Sequence, residues 1–181
     1  MKVTFNPPHP SINDDGFAEE TVHAFIKQHY PDSYHEDALV AEEYRDGIYK
    51  SLIAEFHCYQ DPQVLMTLLI QDYGWEFTYE DLCKIEKFEL FVNRQIYEKE
   101  NQWIQHNDIK PPFPIGAKVR LPSFYEEKIG TIVAINKYRA ARYNVMTKSQ
   151  IDWNNEQIAT GSPARQCGHI IKFEDLELIE D

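Results

Sequence analysis

Cysteine, glycine and cationic side chains are all scarce in this chain. Of 181 residues, three are cysteines, seven are glycines, and 18 are Lys or Arg against 30 Asp or Glu. Cys58, Cys83 and Cys167 show no CxxC spacing, which argues against a disulfide framework or a zinc knuckle. Seven glycines hold no phosphate-cradling motif, so the common nucleotide-binding loops are excluded. No apolar run approaches the roughly 18 residues of a membrane span. The opening MKVTFNPPHP lacks an apolar core of signal-peptide length. The expectation is a soluble, cytoplasmic protein with reduced thiols.

What is present is enough for a folded core. Hydrophobic residues make up 43% and aromatic residues 13% of the chain, a globular rather than a disordered composition. A chain of this length buries roughly 70% of its unfolded surface and needs no covalent staples. The net charge of −12 is unevenly placed. Residues 1–107 hold 8 Lys/Arg against 20 Asp/Glu, whereas residues 108–181 hold 10 of each. Within 118–148, seven basic residues face only Glu126 and Glu127, a local +5. Such a division suggests a polar contact between halves or two separate binding faces.

Residues 1–16, rich in proline and asparagine, read as an extended arm. Phe17, Val22, Phe25 and Ile26 recur at helical spacing, and Pro31 ends that helix. Ala41, Tyr44, Ile48, Leu52, Phe56 and Tyr59 form one stripe of a helix over 36–59, weakened by Gly47. Asp61-Pro62 begins a third helix by capping its free N–H groups, and Gly74 closes it. Thr78 and Asp81 resemble a capping box that opens a long fourth helix, with Leu82, Ile85, Val92, Ile96 and Trp103 along one face. Four helices joined by short connections predict an acidic bundle over 17–107.

The segment DIKPPFP, residues 108–114, cannot continue a helix and reads as a linker. From 115 to 181 the pattern changes to short strands. Val119 and Leu121 alternate with Lys118 and Arg120; a central strand runs from Gly130; others cover Tyr143–Val145, Gly168–Phe173 and Leu176–Ile179. Residues 147–166 read as a long loop. The fold class expected is therefore α+β, a four-helix acidic bundle followed by five strands.

The strings GAKVRL, KIGTIVAI, RYNVM and GHIIKFEDLELI resemble the small SH3-like barrels of the KOW and Tudor-like type. The layout is similar to the C-terminal barrel of the nitrile hydratase β-subunit, which also follows a helical region and a PP-containing linker. The resemblance implies a five-stranded barrel that binds RNA, peptides or a partner subunit, and carries over no catalytic residue.

Several constellations merit weighing as sites. Arg139 and Arg142 flank a hairpin tip with Tyr138 and Tyr143, and Tyr125 lies in the preceding loop, an arrangement that could neutralise phosphates and stack bases. Ordinary solvated arginines and half-buried tyrosines give the same pattern. Tyr125, Tyr138, Tyr143 and Trp153 could instead line a peptide groove. Glu20 and His23 have the spacing of half a di-iron site but lack a second copy, and Cys167 and His169 form a chance pair without an oxyanion loop. The densest carboxylate array is Glu36, Asp37, Glu42, Glu43 and Asp46, continued by Glu76, Glu80, Asp81, Glu86 and Glu89.

The reading that follows is a non-enzymatic binding or regulatory protein, with no metal or cofactor. Its acidic helical face would dock on the basic surface of a protein partner, as a nucleic-acid mimic or inhibitor does. Two alternatives stay open: an RNA- or ribosome-associated protein that reads nucleic acid with the hairpin, and an accessory subunit of a nitrile hydratase-like metalloenzyme. No membrane partner is expected.

Overall fold

The structure, a computed structural model, describes residues 1–30, 38–163 and 168–179. Among the described residues, five α-helices precede a five-stranded antiparallel sheet, and a sixth lies between its third and fourth strands. The chain forms two compact units, one of Pro10–Glu98 and one of Met1–His9 with Lys99–Asp181. The cut falls inside the fifth helix, and the N-terminal arm belongs with the sheet.

In the helical unit, α1 (Phe17–His29) buries Phe17, Val22, Phe25 and Ile26, as its periodicity requires. The helix expected over 36–59 has its first two residues outside the described ones; α2 spans Ala38–Ala54 and gives way to a 3-10 turn at Phe56–Cys58. Ile48 and Leu52 face the core. The next helix, α3 (Pro62–Gln71), starts where the local chemistry dictates. Asp61 accepts a hydrogen bond from the Val64 N–H at 3.1 Å, Pro62 occupies the first turn, and Gly74, at φ 70°, accommodates the left-handed exit.

The long fourth helix of the sequence reading is two helices, which raises the count before the sheet from four to five. The first, α4 (Tyr79–Ile85), opens on a capping box. The Thr78 hydroxyl accepts from the Asp81 N–H at 3.2 Å, and the Asp81 carboxylate accepts from the Thr78 N–H at 3.1 Å. The second, α5, runs from Phe88 to His106. Between them Lys87 N–H bonds back to the Lys84 carbonyl at 3.0 Å, an i−3 step. That tighter step resets the helical phase, and Ile85 and Phe88 are both fully buried. Phe88 meets Phe25 edge-on at 4.8 Å and Phe56 at 6.1 Å.

The sheet unit holds β1 (Lys118–Arg120), β2 (Ile129–Ile135), β3 (Arg142–Thr147), β4 (His169–Lys172) and β5 (Glu177–Leu178), in the order β4-β3-β2-β1-β5. The apolar character of both faces of β2 fits its central place. The barrel expected from the sequence is an open, curled half-barrel, because β4 and β5 are its two ends. The N-terminal arm extends the β5 edge: Lys2 bridges Glu177, and Met1 and Leu178 exchange backbone hydrogen bonds of 3.0 Å. Its core comprises Val119, Ile132, Tyr143, Val145 and Leu176, with Phe113 from the proline-rich segment packed among them.

The segment 147–166, expected to be a loop, contains α6 (Lys148–Ala159). Thr147 and Gln150 form its capping box, with the Thr147 N–H donating to Gln150 Oε1 at 3.0 Å. No residue of α6 is buried, which is why its apolar periodicity is faint.

Of the glycines in the helical unit, Gly47 alone has close neighbours where a side chain would stand. A methyl group there would lie 2.9 Å from Trp75 Cη2, and the indole is held by its Nε1–H donating to Ser51 Oγ at 3.0 Å and by Tyr44 edge-on at 5.1 Å. Helix propensity alone favours alanine by about 1 kcal/mol. Overpacking against a fixed ring costs more, so Gly47→Ala is expected to lower stability by about 1–2 kcal/mol in urea denaturation. A more stable variant would show that the indole is free to move.

Candidate functional site

The sheet unit encloses a group of charged side chains. On α5, the stripe Ile96, Glu100, Trp103 places a carboxylate where the helix is otherwise apolar, and Glu100 is only 2% exposed. Arg142, at the start of β3, grips it with two nitrogens: one donates to Oε1 at 2.7 Å and the other to Oε2 at 2.9 Å. His9, from the N-terminal arm, lies 3.1 Å from Glu100 Oε1 through Nε2. Its Nδ1 sits 2.9 Å from Glu174 Oε1. That second contact is close but off the line of the N–H, an ion pair rather than an aligned hydrogen bond. The imidazole stacks on Trp103 at 4.7 Å, and the indole N–H donates to the Pro7 carbonyl at 3.0 Å.

With His9 protonated, two cations and two carboxylates balance. Burial pushes the Glu100 carboxyl up, but the hydrogen bonds from His9 and Arg142 outweigh it and hold the group down to about 2. Burial likewise opposes charge on His9, yet its contacts with Glu100 and Glu174 prevail and raise its pKa above the ordinary 6.5. At Glu174 the His9 contact overcomes burial and lowers the carboxyl. This four-residue group ties the arm, α5, β3 and the turn after β4 together. The sequence carried one signal for it that went unused: Glu100 interrupts the buried stripe of α5.

The residues singled out in the sequence are dispersed. Arg142 is bound to Glu100 with its side chain 14% exposed, so it is no free phosphate ligand. Tyr143 is fully buried; its hydroxyl donates to the Phe113 carbonyl at 2.7 Å and accepts from the Phe113 N–H at 2.8 Å, so it offers no ring to a ligand. Tyr138 and Arg139 remain exposed at the β2–β3 turn, where both backbone N–H groups donate to Asn136 Oδ1 at 2.9 and 2.7 Å. Tyr125 is half-buried in the β1–β2 loop, against Phe124 at 4.6 Å and His169 at 4.4 Å. Trp153 lies on α6 and is exposed.

On the acidic side, Glu36 and Asp37 lie outside the described residues. Glu42, Glu43 and Asp46 are exposed on α2, with Asp46 paired to Lys50 at 2.6 Å. Asp81, expected to extend this array, is 1% exposed and consumed by the α4 cap. Cys167 lies outside the described residues; Glu20 and His23 are exposed on α1. Among the described residues no helix is long and apolar enough to cross a membrane. Compared with family models, with curated proteins and with solved structures, the chain matches none.

Removing one member of a buried ionic group strands the others. Glu100→Gln is expected to cost roughly 3–5 kcal/mol, read by chemical denaturation. Glu100 and His9 give the pH profile its two opposite limbs, and Glu174, also lowered, acts in the same direction as Glu100. Glu100's contribution is present above its ordinary 4.5 and lost as pH falls through about 2. His9's contribution is complete below 6.5 and lost as pH rises through its raised value. Stability should therefore decline as pH rises above 6.5 toward the raised value, and His9→Gln should flatten that decline; an unchanged decline would remove His9 from the account.

Proposed function

We propose that this is a non-enzymatic binding or regulatory protein whose acidic helical unit docks on a cationic surface of a protein partner. One observation carries the reading. The unit Pro10–Glu98 holds 6 Lys/Arg against 19 Asp/Glu, a net −13, while the sheet unit is nearly neutral at +1. Glu42, Glu43 and Asp46, exposed along α2, form the array most suited to imitate a phosphate backbone. A field of this sign steers a basic partner and sets its orientation, and salt screens it over about 8 Å at physiological ionic strength. The curled sheet, read as an SH3-like barrel opened along one side, supplies a second contact surface in this view.

The RNA-reading alternative loses support from the geometry, since Arg142 is committed to Glu100 and leaves only Lys137, Tyr138 and Arg139 exposed at the tip. The discriminating experiment is affinity capture from native lysate at low and high salt, with and without nuclease. The triple variant Glu42→Gln, Glu43→Gln, Asp46→Asn runs in parallel. A protein partner that survives nuclease, leaves at high salt and is lost with the triple variant is the expected result. Nucleic acid in the eluate that disappears with Arg139→Glu would replace this function with the RNA reading.

A further inference from the structure

Where α2 ends, the helical unit brings together three side chains of a kind that binds transition metals. The backbone there winds in three-residue steps: Cys58 N–H bonds to the Glu55 carbonyl at 2.9 Å, and Tyr59 N–H to the Phe56 carbonyl at 3.1 Å. A turn of three residues per cycle stacks positions i and i+3 on one side, so Glu55 and Cys58 align. Phe56 anchors the turn from within, stacked on Tyr59 at 5.7 Å and edge-on to Phe17 at 6.2 Å. His57 is left outside with its side chain 73% exposed.

The carboxylate, imidazole and thiol ligand atoms of Glu55, His57 and Cys58 all lie within 4.8 Å of one another. His57 Nε2 is 3.9 Å from Glu55 Oε2. That is too long for a hydrogen bond, which needs about 2.7–3.2 Å. A nitrogen and an oxygen on one tetrahedral zinc, each bonded at about 2.0–2.1 Å, stand about 3.3–3.4 Å apart, so the pair must close by about half an ångström. The imidazole, 73% exposed, has open space in which to rotate toward the carboxylate. Glu55 is already oriented from outside the group: the Tyr73 hydroxyl donates to its Oε1 at 2.9 Å, leaving Oε2 toward His57. A hydrogen bond of that kind, to the oxygen not facing the metal, is how ligating carboxylates are held. The C-terminal end of a helix and an acidic unit both favour a cation here.

We propose that Glu55, His57 and Cys58 form a three-ligand site for a divalent, borderline-soft cation, Zn2+, with its fourth position open to solvent. This departs from the expectation that the chain carries no metal, which rested on the absence of CxxC and paired ExxH motifs. Its four-residue span, Glu-x-His-Cys, is not a standard zinc spacing and becomes a ligand set only through the 3-10 turn. The metal takes the thiol as thiolate and the imidazole in its neutral form, so protons compete with it for both and affinity falls as pH is lowered.

The test uses the reduced full-length chain titrated with Co2+, which reports thiolate coordination by a near-ultraviolet charge-transfer band. The expected result is one Co2+ per chain, the band present, and its loss on adding one equivalent of Zn2+. Cys58→Ser should abolish the band, while Cys83→Ser and Cys167→Ser keep it. His57→Ala, at an exposed position that leaves the fold intact, should weaken binding about tenfold or more, and Tyr73→Phe should weaken it about tenfold. Absence of the band, its survival in Cys58→Ser, or unchanged affinity in His57→Ala would overturn the proposal.

Discussion

A single carboxylate organises the sheet unit. Glu100 receives Arg142 from one strand and His9 from the N-terminal arm, and it does so at 2% exposure. Taking such charges out of water costs several kcal/mol each, and only close pairing offsets that cost. The four groups are therefore interdependent: Glu174 balances the second positive charge, and Trp103 covers the imidazole while binding Pro7. From this follows the position of the arm, whose first residues complete the β5 edge that the sheet would otherwise leave unpaired.

The local rules of the helical unit were readable because they are short-range. Asp61-Pro62, Thr78 with Asp81, and Gly74 act within one turn of the backbone, and each sits in the structure where its chemistry requires. The break between α4 and α5 was not readable, because neither glycine nor proline marks Glu86-Lys87 and the apolar stripe continues through it. What decides it is the packing of Phe88 against Phe25 and Phe56, contacts that join distant parts of the chain. For α6 the reverse holds. Its cap, Thr147-x-x-Gln150, was present in the sequence, but with no buried residue the helix shows no periodicity to follow it. Arg142 illustrates the limit of counting charge in a window. It contributes to a local +5, yet its partner lies 42 residues away and cancels it.

Charge sorts more sharply by structural unit than by halves of the sequence. In the sheet unit the excess is close to zero, and its principal ionic group is internally balanced. In the helical unit, pairs such as Lys50–Asp46, Lys84–Glu80 and Arg94–Glu98 occupy half of the six cations. Even with all six paired, thirteen carboxylates would stay uncompensated within that unit. Mutual repulsion among them opposes folding, while the buried Phe, Leu and Ile core must offset it.

Any bound cation relieves that repulsion, which gives the proposed docking surface and the proposed Glu55–His57–Cys58 site a common physical origin but different signatures. Attraction between an exposed carboxylate face and a basic partner is long-range and acts through water, so added salt, by shortening the Debye length, screens it steeply. Coordination by a thiolate, an imidazole and a carboxylate is short-range and depends on proton loss, so it responds to pH far more than to ionic strength. The two also differ in what the fold must supply. A docking face needs only a stable helix that holds its carboxylates outward, which the buried side of α2 provides. A metal site needs its donor atoms gathered on one side of the backbone; for the proposed group the 3-10 turn, anchored by Phe56 and with Glu55 braced by Tyr73, does this at one corner of the same unit.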